Sequence, residues 1–156
     1  MRRVLTLAAF IAATTIAAAQ APPTFAGKWT LIPDPNAPGG GMGGLGQEAT
    51  ITQDASTITI TRTTQMGTFT SNYKLDGTES KNTLSMQGNA IEQVSTAKWD
   101  AGKLRVNTKM DFGGNPVELT MILALDPSGN LLVESTRPDF QGGGAPVTTK
   151  MSYKKN

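Results

Sequence analysis

The sequence predicts an all-β fold, an antiparallel up-and-down meander of about ten strands closed into a barrel and preceded by a signal peptide. Three observations predict it. Beyond Pro23 the chain reads as short runs of alternating apolar and polar residues, with no stretch of helical period. Threonine and β-branched residues are enriched in those runs. Gly, Asp, Asn and Pro punctuate them at short intervals. A meander of this length closes on itself because closure removes exposed strand edges.

The leader reads "MRRVLTLAAFIAATTIAAAQA": two arginines, an apolar run, then small residues, the layout of a secretory signal peptide. Ala17, Ala18 and Ala19 offer an A-x-A site, so cleavage is expected before Gln20. Residues 1–19 are then the signal peptide and residues 20–156 a single barrel domain. The apolar run is short for a membrane span and lacks a stop-transfer flank. The processed protein is expected to be exported, periplasmic or extracellular, and monomeric.

Removal of Arg2 and Arg3 lowers the fourteen basic residues to twelve, against twelve acidic ones. A near-neutral chain carries no nucleic-acid signal. There is no cysteine, hence no disulfide and no bacterial lipoprotein anchor on a lipid-modified Cys. Roughly 135 processed residues suffice for one domain held by its own core.

Candidate strands run over residues 25–32, 48–53, 56–64, 68–75, 80–86, 91–99, 103–110, 116–125, 131–136 and 146–153. Their connections are of two kinds. Taken alternately, one set reads "QDAS", "LDGT", "WDAG" and "LDPSGN", all tight turns. The other reads "PDPNAPGGGMGGLGQ", "TQMG", "MQGNA", "DFGGNP" and "RPDFQGGGAP". In a meander, alternate connections share one end. One barrel end is therefore stitched by hairpins, and the other carries longer Gly-rich loops.

"GMGGLG" at 41–46 has the G-x-G-x-x-G spacing of a dinucleotide-binding turn but none of its context. Pro and Asn precede it, a β-patterned "EATITQ" follows, and Thr61 stands where an acidic residue would bind a ribose. The long Gly-rich loop, 33–47, reads instead as a flap over the barrel end.

Alternation assigns each side chain a face. Ile58 and Ile60 share one; so do Leu104, Val106, Met110 and Phe112, and so do Val117, Leu119, Met121, Leu123 and Leu125. These series predict an apolar interior and a Thr/Lys-rich exterior. Phe25, Leu75, Trp99 and Tyr153 fall near the tight-turn end, with Trp29 and Tyr73 deeper in the wall, as an aromatic floor. Met42, Met66, Met86, Met110, Phe112 and Phe140 gather near the loop end, with Phe69 and Met121 on the same inner wall. Such residues either form an adaptable ligand rim or fill an ordinary core beneath long loops.

Arg62 continues the inward series of Ile58 and Ile60, and Arg137 that of Leu131 and Val133. At the mouth, two guanidiniums suit a carboxylate or phosphate head group. The alternatives are pairing with a loop carboxylate such as Asp111 or Asp139, or turning out to solvent.

"FAGKWTL" carries Gly27-Lys28-Trp29, which resembles the G-x-W signature of the lipocalin and fatty-acid-binding barrels, where the Trp packs at the closed end. The meander over residues 25–155 and its ending, "SYKK", are similar too, and small secreted bacterial lipocalin-like proteins often begin this way. The resemblance implies a calycin-type barrel binding a small apolar ligand. It departs in three places. Glycines replace the helix pair that follows the first strand in fatty-acid-binding proteins. Met151 stands where their final Arg-x-Tyr has its arginine, although Tyr153 matches the tyrosine. The disulfide of typical lipocalins is absent.

Without His or Cys there is no Ser-His-Asp triad, thiol chemistry or His/Cys metal site. Asp34 with Asn36, and Asp126 with Ser128 and Asn130, read as turn formers, with too few carboxylates for calcium. Glu118 and Glu134 are out of phase with the inward series, so no acid–base pair forms. No enzyme activity, cofactor or metal is expected.

The expected function is binding of a small apolar or amphipathic molecule, with or without an acidic group, near the Gly-rich end. The alternative is a fully packed barrel acting as a protein-interaction or structural module of the cell envelope. An integral outer-membrane barrel is disfavoured by the polar exterior. An interior cavity of roughly 300 Å³ or more separates the first reading from the second.

Overall fold

The computed structural model describes residues 21–35, 44–86, 88–139 and 143–156. Residues 1–19, where a leader is expected, the side chain of Met86, Met42 and Phe140 lie outside the described residues. The strands are β1 (Gly27–Leu31), β2 (Glu48–Gln53), β3 (Thr57–Thr64), β4 (Gly67–Lys74), β5 (Asp76–Met86), β6 (Asn89–Asp100), β7 (Lys103–Phe112), β8 (Asn115–Leu125), β9 (Leu131–Arg137) and β10 (Val147–Lys155). No helix occurs among the described residues, so none there is long and apolar enough to cross a membrane.

Boundary differences have local causes. β1 starts late because the Phe25 N–H is taken by Gln53 Oε1 (2.9 Å) instead of a strand partner. β5 starts early because a register shift between Asp76 and Glu79 lets the strand resume directly after its turn. β10 runs on to Lys155 because β1 returns beside it, with Trp29 opposite Lys155.

All pairings are antiparallel, and the order is β4-β3-β2-β1-β10-β9-β8-β7-β6-β5. First and last strands meet, Leu31 facing Tyr153. The two edges, β4 and β5, lie side by side, so the barrel is nearly closed. Side chains replace the missing ladder there. Asn82 Oδ1 accepts the Asn72 N–H (2.7 Å), and Asn82 Nδ2 donates to the Asn72 carbonyl (3.0 Å). Ser80 Oγ accepts the Lys74 N–H (2.8 Å). Buried edge amides need such partners.

Carboxylates cap three of the tight turns. Asp54 accepts the Ser56 and Thr57 N–H groups and both hydroxyls, which holds its carboxyl down at about 2. Asp76 takes the Thr78 hydroxyl and N–H. Asp126 takes the Asn130 side-chain amide and N–H and the Ser128 N–H, so these residues are turn formers.

At this end Phe25, Trp29, Leu104, Leu131 and Tyr153 are fully buried. Phe25 stacks on Trp99 with centroids 5.6 Å apart, and Trp29 Nε1 donates to the Phe25 carbonyl (2.8 Å). Lys155 Nζ lies 5.6 Å from the Trp29 ring, covering the floor from outside. The exterior carries threonine contacts, Thr61–Thr70 and Thr136–Thr148, and the ion pairs Lys81–Glu92, Lys109–Glu118 and Lys150–Glu134. These exposed pairs contribute little to stability.

The interior corrects one expectation. It is apolar at the floor but not throughout. Ser71, Ser80, Asn82, Gln93, Ser95, Thr108 and Ser135 are all buried, and each shares the inward phase of its strand. They make a polar belt above the aromatic floor. Ser95 and Thr108 hydroxyls satisfy each other at 2.8 Å, across β6 and β7.

Candidate ligand-binding site

Strand phase and strand ends position the site. Arg62 lies opposite Ala49 on β2 and Phe69 on β4, two residues beyond Ile60 on the inward face. Arg137 ends β9 opposite Val147, two residues beyond Ser135. The two arginines line one cavity of about 50 Å³, together with Tyr73, Gln93, Thr108, Leu119, Met121 and Ser135. Its walls supply two cations and several neutral donors, and no carboxylate is among the lining residues.

The individual contacts sharpen this picture. The Arg62 guanidinium lies 5.9 Å from the centre of the Phe69 ring, which holds it by cation–π attraction while leaving its N–H groups for other acceptors. The Ser135 hydroxyl is buried and has no hydrogen-bond partner among the described residues. Burying a hydroxyl unpaired costs about 1–3 kcal/mol, so it marks a place where a further acceptor or donor fits. Among the described residues Gln93 Nε2 reaches the Met110 sulfur alone, at 3.7 Å, a weak contact.

Tyr153 belongs to the buried core. Burial pushes its phenol up to about 12, although the Leu45 N–H and the Arg62 charge both favour the phenolate. Its oxygen accepts the Leu45 N–H (2.9 Å) and donates to Met151 Sδ (3.6 Å). Leu45 comes from the Gly-rich connection and is only 1% exposed, inside the main core. Its glycine neighbours permit this. A Cβ on Gly44 would overlap the Met151 thioether, and one on Gly46, at φ 77°, would overlap the Thr63 carbonyl oxygen. The described end of the loop, residues 44–47, is thus a wedge in the barrel; residues 36–43, the rest of the expected flap, lie outside the described residues.

The structure brings some of the sequence-derived site residues together and leaves others apart. Arg62, Arg137 and Met121 line the cavity, with Phe69 beneath Arg62 and Met110 against Gln93. Phe112, at the end of β7, is 45% exposed, and Met66, in the β3–β4 turn, is 59% exposed, so neither closes a rim. Of the floor residues, Tyr73 reaches the cavity and Tyr153 reaches up to Leu45. Sequence reasoning missed Gln93, Thr108 and Ser135, although their inward phase was readable. It also missed Leu45, an isolated apolar residue among glycines with no period to reveal it.

The architecture defines a class, a ten-stranded, nearly closed antiparallel barrel. Among solved structures it is similar to the zebrafish ileal bile acid-binding protein, crystallised in complex with cholic acid, at a TM-score of 0.58 and 19% identity over 85% of this chain and 98% of that one. At that identity the likeness is one of fold. No protein-family model matches the chain, and no curated protein matches it by sequence.

Proposed function

We propose that this protein is an exported binding protein for a small amphipathic acid, holding the acidic group between Arg62 and Arg137 inside the barrel. One observation carries the reading. Arg62 and Arg137, far apart in sequence, line one cavity with Ser135, whose buried hydroxyl has no hydrogen-bond partner among the described residues. Charge-assisted bonds from such a pair give orientation and specificity. The apolar floor supplies the burial term for the rest of the molecule. Export rests on the leader pattern, and the activity is binding with no covalent step.

A packed interaction module is the second reading, favoured by cavity size. About 50 Å³ is well short of the roughly 300 Å³ of an ordinary small-molecule pocket. Calorimetric titration of the processed protein with hexanoate separates the two. Binding that falls about 10- to 100-fold in Arg62→Gln/Arg137→Gln, with hexanol bound weakly by both proteins, supports the acid site. Absence of hexanoate binding, or equal binding by the double variant, refutes it.

A further inference from the structure

Residues 44–47 occupy space that a guest would need. Leu45 is inserted among core side chains, yet it comes from a connection and not from a strand. Among the described residues it is fastened by its own N–H to Tyr153 Oη, the Leu31 N–H to the Gln47 carbonyl (2.9 Å), and the Gln47 N–H to the Thr63 carbonyl (3.2 Å). Withdrawing Leu45 and its glycines therefore breaks no strand ladder. The insertion lies on the Arg62 side of the barrel: Gly46 packs on the carbonyl of Thr63, the residue after Arg62, and the Arg62 charge acts on the Tyr153 hydroxyl that holds the Leu45 amide.

Resting on the acid-binding reading above, we propose that the position filled by Leu45 is the apolar subsite of the ligand, and that Leu45 is a built-in competitor for it. Size then sets the ligand class. The existing cavity of about 50 Å³ accommodates a carboxylate head. A leucine side chain removed from a core leaves roughly 150 Å³, enough for a benzene ring. The ligand is accordingly a compact monocarboxylate with one ring or a short branched chain. A long-chain fatty acid or a steroid acid exceeds the combined space. While Leu45 is inserted the competent form is a minor population, and the observed affinity is reduced by that fraction.

Titration of the processed protein with benzoate tests this in wild type, Leu45→Ala and Gly46→Ala. The first variant empties the subsite; the second drives the segment off Thr63 while leaving the barrel wall intact. Both are expected to bind benzoate at least about 10-fold more tightly than wild type. Equal affinity in wild type and both variants overturns the competitor while leaving acid binding in place. No binding of benzoate or hexanoate by any of the three overturns the acid-binding reading itself. Amide exchange in the wild-type protein supplies a measurement independent of variant folding. The Leu45 N–H should exchange faster when benzoate saturates the site. Unchanged or slower exchange places benzoate elsewhere and overturns the proposal.

Discussion

At the scale of single residues, the decisive feature is what Tyr153 does with its hydroxyl. It closes the core, anchors the Leu45 amide and feels the Arg62 charge, all from one strand position. Tyr153→Phe leaves the buried Leu45 N–H without an acceptor. We expect a loss of about 1–3 kcal/mol in urea unfolding. The pH dependence has a definite sign. A phenol raised by burial to about 12 in the folded protein, against about 10 unfolded, favours folding fully below pH 10. That contribution, roughly 3 kcal/mol, is lost as pH rises from 10 to 12. The difference between wild-type and Tyr153→Phe stability should narrow over that range, and a constant difference would show that the phenol ionises freely. Residues of this kind are hard to read from sequence. Arg62 and Arg137 were legible because each extends an apolar inward series by two positions. Leu45 was not, because its burial depends on two glycines fitting against Met151 and Thr63, which no local pattern encodes.

At the scale of elements, the strands were legible almost entirely, since period-two alternation and turn chemistry are local properties. The tight hairpins followed from their Asp residues, which accept the N–H groups of their own turns. Two features escaped. Alternation tells which face a residue takes but not how polar that face is at a given height. The inward Ser71, Gln93, Ser95, Thr108 and Ser135 were therefore absorbed into a supposedly apolar interior. The closure of the barrel was expected, but not its means. Between β4 and β5 the Asn82 amide stands in for a strand, bonding both the N–H and the carbonyl of Asn72. Asn82→Ala removes both bonds at a partly buried edge. We expect a destabilisation of about 1–3 kcal/mol and faster amide exchange at Asn72, with Trp29 and Tyr153 amides unaffected. Unchanged Asn72 exchange would mean that the seam is held by other contacts.

At the scale of the whole molecule, the barrel is polar along its axis. Hairpins, stacked Phe25 and Trp99, and the Trp29 indole seal one end. Above them lies a belt of hydroxyls and amides, then two arginines lining a small cavity, with a loop wedge on the Arg62 side of the barrel. Such a gradient suits a molecule with one apolar and one anionic end. A barrel packed only for stability gains nothing from the Ser135 hydroxyl, buried without a partner among the described residues, or from cations at its cavity. The central claim is that this interior holds a small acid, and native mass spectrometry of the protein purified from its own host tests it most directly. The account predicts a chain beginning at Gln20 that carries one small organic acid, with the adduct missing from Arg62→Gln/Arg137→Gln. A bare chain in both preparations, or an adduct that the double variant retains in full, would contradict it.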